Sequence, residues 1–112
     1  MKAPHLNRQL VLETPDTLSD GAGGYVQGWV PAGILWAEVT PRSGRETARN
    51  GAPVSRMAYR ITVRGAPIGS NQRPAAPQRF RDGDRIFTIQ AVTEADPAGR
   101  YLTCFAQEEQ VV

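Results

Sequence analysis

The chain has 112 residues, 40% of them hydrophobic, with one cysteine, one histidine and a formal net charge of +2. That length suits a single domain with one core; one cysteine excludes an internal disulfide, and one histidine leaves a conventional zinc cage out of reach. No run approaches the ~18 apolar residues of a membrane-spanning helix, and the opening MKAPHLNRQL lacks the apolar stretch of a secretory signal.

Residues 7–14 (NRQLVLET) alternate, with Leu6, Leu10 and Leu12 on one face, and predict a first strand. The run Asp20-Gly21-Ala22-Gly23-Gly24 predicts a turn that uses glycine at positive φ. A second strand is expected over 25–30, closed by Pro31, and a third over 33–40, closed by Pro41, because proline cannot donate to a ladder. Residues 42–54 show no period; Gly44, Gly51 and Pro53 predict a loop, with one helical turn around Glu46 and Arg49. Residues 56–64 are the clearest strand, with Met57, Tyr59, Ile61 and Val63 on one face and Arg56, Arg60, Thr62 and Arg64 on the other.

The next stretch, GAPIGSNQRPAAPQ (65–78), predicts a long irregular connection. A short strand at 79–81, a tight hairpin turn at Asp82-Gly83, a strand at 85–94, a turn at Asp96-Pro97-Ala98-Gly99 and a last strand at 100–107 complete the chain. The expected fold is all-β and mainly antiparallel: a small six- to seven-stranded barrel or sandwich with long loops and at most a short helical turn. One domain spans 1–112, with 1–5 and 109–112 as flexible tails. Leu10, Leu12, Trp36, Tyr59, Ile61, Val63 and Ile89 are the expected core. Trp29 and Trp36 suit a barrel core or its open end better than interface anchors, although tryptophan is enriched at hot spots.

No residues combine into a catalytic set, a cofactor site or a metal site. His5 sits near the N-terminus without a positioned partner. Cys104, between Leu102 and Ala106 in an alternating strand, has the position of a small core residue, and nothing nearby would lower its pKa. Asp82 and Asp84 flank a glycine and read as turn-formers. No Lys-Ser/Thr pair follows Gly21-Ala22-Gly23-Gly24, as a phosphate loop would require.

Charge is unevenly distributed. From Arg42 to Arg85, ten arginines face only Glu46, Asp82 and Asp84, giving +7, while the remainder carries −5. Arginine suits bidentate pairing with carboxylate or phosphate, so the central segment reads either as a solvated face or as a surface for an acidic partner or DNA. The apolar residues and the one aromatic residue, Tyr59, of the clearest strand share the face away from its arginines, which argues against a base-stacking platform.

The ordered set LNRQLVLE, DGAGGYVQGW, LWAEVTPRSGRE, SRMAYRITVR, FRDGDRIFTIQAV and RYLTCFAQE resembles the head–tail joining family, the head-completion or stopper proteins of long-tailed phages and gene transfer agents. The resemblance spans about Leu6 to Glu108 and rests on the order of the elements, since no single motif is specific. It implies a structural virion protein, not an enzyme, assembled in the host cytoplasm. Such a protein forms a homo-oligomeric ring between the portal or adaptor and the tail terminator or tail tube, and retains packaged double-stranded DNA. A tail terminator or other tail ring component is the alternative, with a nucleic-acid-binding barrel behind it. The loops 42–54 and 65–79 are the expected channel-facing or ring-stacking segments, with Arg42, Arg45, Glu46, Arg49, Arg73, Arg79 and Arg81 as candidate interface residues.

Overall fold

The computed structural model describes residues 3–49 and 52–111, and for 43–49, 52–55 and 110–111 it describes the backbone alone. Alternation of apolar and polar residues builds six strands: β1 (Arg8–Ser19), β2 (Tyr25–Arg49), β3 (Ala52–Arg64), β4 (Arg79–Asp82), β5 (Arg85–Glu94) and β6 (Tyr101–Val111). All pairings are antiparallel, and the single sheet closes on itself in the order β1-β2-β3-β6-β5-β4. Inward-pointing Leu10, Leu12, Leu35, Ala37, Ile61, Val63, Phe80, Phe87, Ile89, Leu102, Cys104 and Ala106 fill the interior. Each large side chain among them contributes about 1.5–3 kcal/mol through burial. Tyr59 packs against this core edge-on to Phe87, ring centroids 5.1 Å apart.

Three expectations are corrected. Trp36 is not in the core: it alternates outward from buried Leu35 and Ala37 and is 54% exposed. The two strands expected at 25–30 and 33–40 are one strand, because Pro31 and Pro41 do not end it. Across β1, Leu12 faces Gly33 and Glu13 faces Pro31, leaving Ala32 unpaired; across β3, Pro41 faces Tyr59 and Ser43 faces Ala58, leaving Arg42 unpaired. Each proline therefore sits beside a bulge, where the ladder is interrupted and its missing N–H costs little.

The loop and helical turn expected over 42–54 are instead the two sides of a β-hairpin, pairing from Ser43↔Ala58 to Arg49↔Ala52; residues 50 and 51 lie outside the described residues. The sequence between the strands is Asn50-Gly51, a strong two-residue hairpin signal. β6 runs on to Val111 and pairs with β3 through Val54↔Val111.

The sheet extends beyond its closed part in two places. β1 meets β4 only from Val11 to Glu13, so from Thr14↔Val30 to Ser19↔Tyr25 the β1–β2 hairpin is a ribbon of two strands. At its tip Asp20 Oδ1 accepts hydrogen bonds from the Ala22 and Gly24 N–H groups, and Gly21 and Gly23 take φ of 80° and 86°. On the other side β2, β3 and the end of β6 continue as an arm through the 43–58 hairpin. The connection 65–78 has no regular structure, as expected, but it is folded against the barrel. Arg73 Nη1 donates to the Ala66 carbonyl at 3.0 Å, Gln78 closes a turn onto Ala75, and Pro74 is fully buried.

Candidate functional site

A buried carboxylate is stable only when charge and hydrogen bonds replace water. Glu13 is 1% exposed although it faces away from the interior. The Arg79 Nε donates to its Oε1 at 2.7 Å and the Arg81 Nη2 to its Oε2 at 2.6 Å, and the Arg79 guanidinium lies 4.0 Å from the Trp29 ring centroid. Both arginines come from β4, whose pairing with β1 is the shortest seam of the sheet. Glu13 thus clasps the strand that closes the barrel.

A second cluster lies on the opposite seam. Buried Glu108 accepts from Arg85 Nε at 2.8 Å and Nη2 at 3.0 Å, and from the Tyr59 hydroxyl at 3.2 Å. Every described buried side-chain nitrogen or oxygen has a hydrogen-bond partner.

Both carboxyls are held below the ordinary 4.5. For Glu13, burial pushes upward but the two arginine hydrogen bonds and charges outweigh it; for Glu108, the Arg85 hydrogen bond outweighs burial. The unfolded chain then takes up protons at higher pH than the folded one. The stabilisation is complete above about pH 4.5 and disappears as pH falls through the lower folded values. Thermal unfolding measured from pH 7 to pH 3 should show this acid loss, and Glu13→Gln should show a smaller one. An equal loss in both would place the effect on other groups. Glu13→Ala should cost about 2–3 kcal/mol at neutral pH, below the figure for a fully buried pair because both arginines reach water.

These pairs revise the candidate interface. Arg56, Arg79, Arg81 and Arg85 of the basic segment pair with Glu109, Glu13 and Glu108 of the acidic remainder, and Asp82 pairs back to Arg8. Much of the charge segregation along the sequence is therefore consumed inside the fold. Arg79 and Arg81 hold the barrel closed, and Arg73 braces the 65–78 connection. Arg42, unpaired in the ladder, places its guanidinium 5.0 Å from the Phe105 ring centroid. Arg45, Glu46 and Arg49 lie on the two-sided arm as strand residues; their side chains are outside the described residues.

Exposed apolar residues mark two further surfaces. On the ribbon, Tyr25 is 74% and Val26 52% exposed, with Leu18 opposite Val26. On the barrel wall, Ile34 and Trp36 project outward beside the 65–78 connection. With Leu35, Arg64, Gly65, Ala66 and Gln72 they line a groove of about 330 Å³. Reading by strand alternation alone passes over Ile34, Val26 and Leu18. The signal in the sequence is that apolar residues occupy both faces of 25–36, more than one core can bury.

Burial pushes the Cys104 thiol up to about 12, so it is not a thiolate at neutral pH. His5 donates its backbone N–H to Glu38 at 2.8 Å. Among the described residues no three His, Cys, Asp or Glu side chains converge as metal ligands do.

Residues 1–109 match the family model described as phage head completion protein. A chain in a solved structure of the virion of a native gene transfer agent particle is 49% identical, superposes with a TM-score of 0.87, and is matched over 98% of this chain and 100% of that one. No curated protein matches.

Proposed function

Because the chain belongs to the phage head completion protein family, structural proteins of the virion, we propose that it forms a homo-oligomeric ring at the head–tail junction. The ring joins the portal or adaptor on the head side to the tail terminator or tail tube on the other. It keeps packaged double-stranded DNA in the head until the tail is attached. The observation that carries this reading is the arm. β2 and β3 run on past the closed part of the sheet, and the sequence from Arg42 to Arg49 brings three arginines against Glu46 alone. An element of that kind reaches beyond the body of its own subunit and suits a channel or a neighbouring ring.

Arg42, Arg45 and Arg49 stay in the proposal as groups facing DNA phosphate or the next ring. Arg73, Arg79 and Arg81 leave it, since the fold uses them. Phosphate binding of this kind is independent of sequence and weakens with salt, and removing one phosphate-binding arginine reduces the salt slope by about one.

The test is DNA retention in particles carrying Arg45→Ala/Arg49→Ala, followed as free DNA against salt concentration. Release at lower salt than the parent is expected, with a ring of this chain visible at the junction by electron cryomicroscopy. Unchanged retention, with the arm on the outer wall of the ring, would sink the channel role.

A further inference from the structure

We propose that the tip of the β1–β2 ribbon of one copy seats in the Ile34–Trp36 groove of the next, so that every copy both offers a ribbon and receives one. This rests on the ring reading and names the two surfaces that would build the ring. The ribbon has no third strand against it from Thr14 onward, and a two-stranded hairpin is marginal in water by itself. It nevertheless shows Leu18 and Val26 on one face and Tyr25 on the other, all exposed. A partner that covers both faces of the tip explains why an otherwise weak element carries apolar side chains there.

The groove has the complementary character. Trp36 and Ile34 form one wall and the start of the 65–78 connection the other. Arg64 lines it, is exposed, and among the described residues has no carboxylate partner. The ribbon between Thr14 and Val30 has only Asp16 and Asp20 as charged residues. An acidic apolar finger and a basic apolar groove attract in one orientation and repel their own kind.

Geometry excludes self-docking. Val26 and Trp36 belong to the same strand, β2, and lie roughly 30 Å apart along it at ~3.3 Å per residue. A copy cannot bring its own finger to its own groove without breaking β2. The contact therefore runs between copies and joins two different surfaces, the heterologous arrangement that makes a closed ring when the rotation per copy closes and a filament when it does not.

The test uses particles carrying the double variant Gln27→Cys/Gln72→Cys, one new thiol on the ribbon and one at the groove, treated with a short bis-maleimide. Native Cys104 is buried and does not compete. A ladder of this chain from dimer upward is expected, with neither single variant giving more than a trace of dimer. A ring of this chain at the junction by electron cryomicroscopy without a ladder would overturn the docking but leave the ring reading intact. No ring at the junction would remove both. Cross-linking of the ribbon to a different particle protein would also overturn the docking and assign the finger to another partner.

In a second arm of the test, Asp16→Lys and Arg64→Glu should each lower the yield of tailed, DNA-filled particles, and the double variant should recover it. Val26→Asp should lower that yield by about tenfold or more, as expected for loss of one apolar anchor, with circular dichroism of the purified chain unchanged. Parental yields from all of these variants would also overturn the proposal.

Discussion

Phe87→Ala is expected to destabilise the fold by about 4–5 kcal/mol, among the largest single-residue effects for the described residues. Phe87 is fully buried and pairs with Phe80 across the short β4–β5 hairpin. Its ring meets Tyr59 edge-on at 87°, and the Arg85 guanidinium lies 4.9 Å from its centroid. Removing such a ring costs about 3–5 kcal/mol through reduced burial and the cavity left behind, and a good aromatic pair adds ~1 kcal/mol. The cavity would open beside Glu108, Arg85 and Tyr59, whose hydrogen bonds depend on exclusion of water. Since a domain of this size has about 5–15 kcal/mol in total, the variant should be largely unfolded well below the parental midpoint. Denaturant unfolding followed by circular dichroism measures the loss as a lower midpoint at unchanged slope. Phe87→Leu, which refills much of the volume, should lose less than about half as much. A loss under about 2 kcal/mol in Phe87→Ala would mean that this end of the barrel is not close-packed.

Residues whose fate is decided by local alternation are legible in the sequence. Leu10, Leu12, Ile61, Val63 and Ile89 stand on strict period-two runs and are buried. What is not legible has three physical sources. A proline in a sequence reads as a strand end, but Pro31 and Pro41 sit beside bulges, and a bulge depends on the register against another strand. The size and hydrophobicity of Trp36 point inward, whereas its parity with Ala37 and Leu35 places it outside; on a strand, position outweighs residue type.

The third source is distance along the chain. Glu13 finds Arg79 and Arg81 66 and 68 residues away. Nothing near Glu13 marks it as buried, and nothing near the arginines marks them as spent. Candidate interface residues chosen by charge density alone therefore include groups that the fold consumes, and omit the apolar side chains that it leaves exposed.

Among the described glycines at ordinary φ, Gly65→Ala is expected to be the most damaging substitution, at about 2–3 kcal/mol. Its backbone lies outside the left-handed region, so alanine would be tolerated conformationally; the obstacle is contact. A Cβ there would stand 2.1 Å from the Gly99 carbonyl oxygen and 3.1 Å from the Arg100 carbonyl carbon. Those atoms cannot swing aside as a side chain would. The Gly65 N–H donates to the Arg100 carbonyl at 2.7 Å, and the turn opposite is fixed by Asp96, which accepts from the Tyr101 N–H and Arg100 Nε, both at 3.1 Å. Overpacking against such a neighbour costs ~1–3 kcal/mol or more.

Gly33→Ala provides the control: its nearest neighbour, at 3.5 Å, is the side-chain amide of Gln72, and little change in thermal midpoint is expected. Gly65 also lines the Ile34–Trp36 groove, so any accommodation of the extra methyl moves the groove wall. If the groove receives a neighbouring copy, Gly65→Ala should abolish particle assembly at temperatures where the purified chain is still folded. If the failure of assembly tracks unfolding alone, Gly65 matters only for closing β3 against the 96–99 turn.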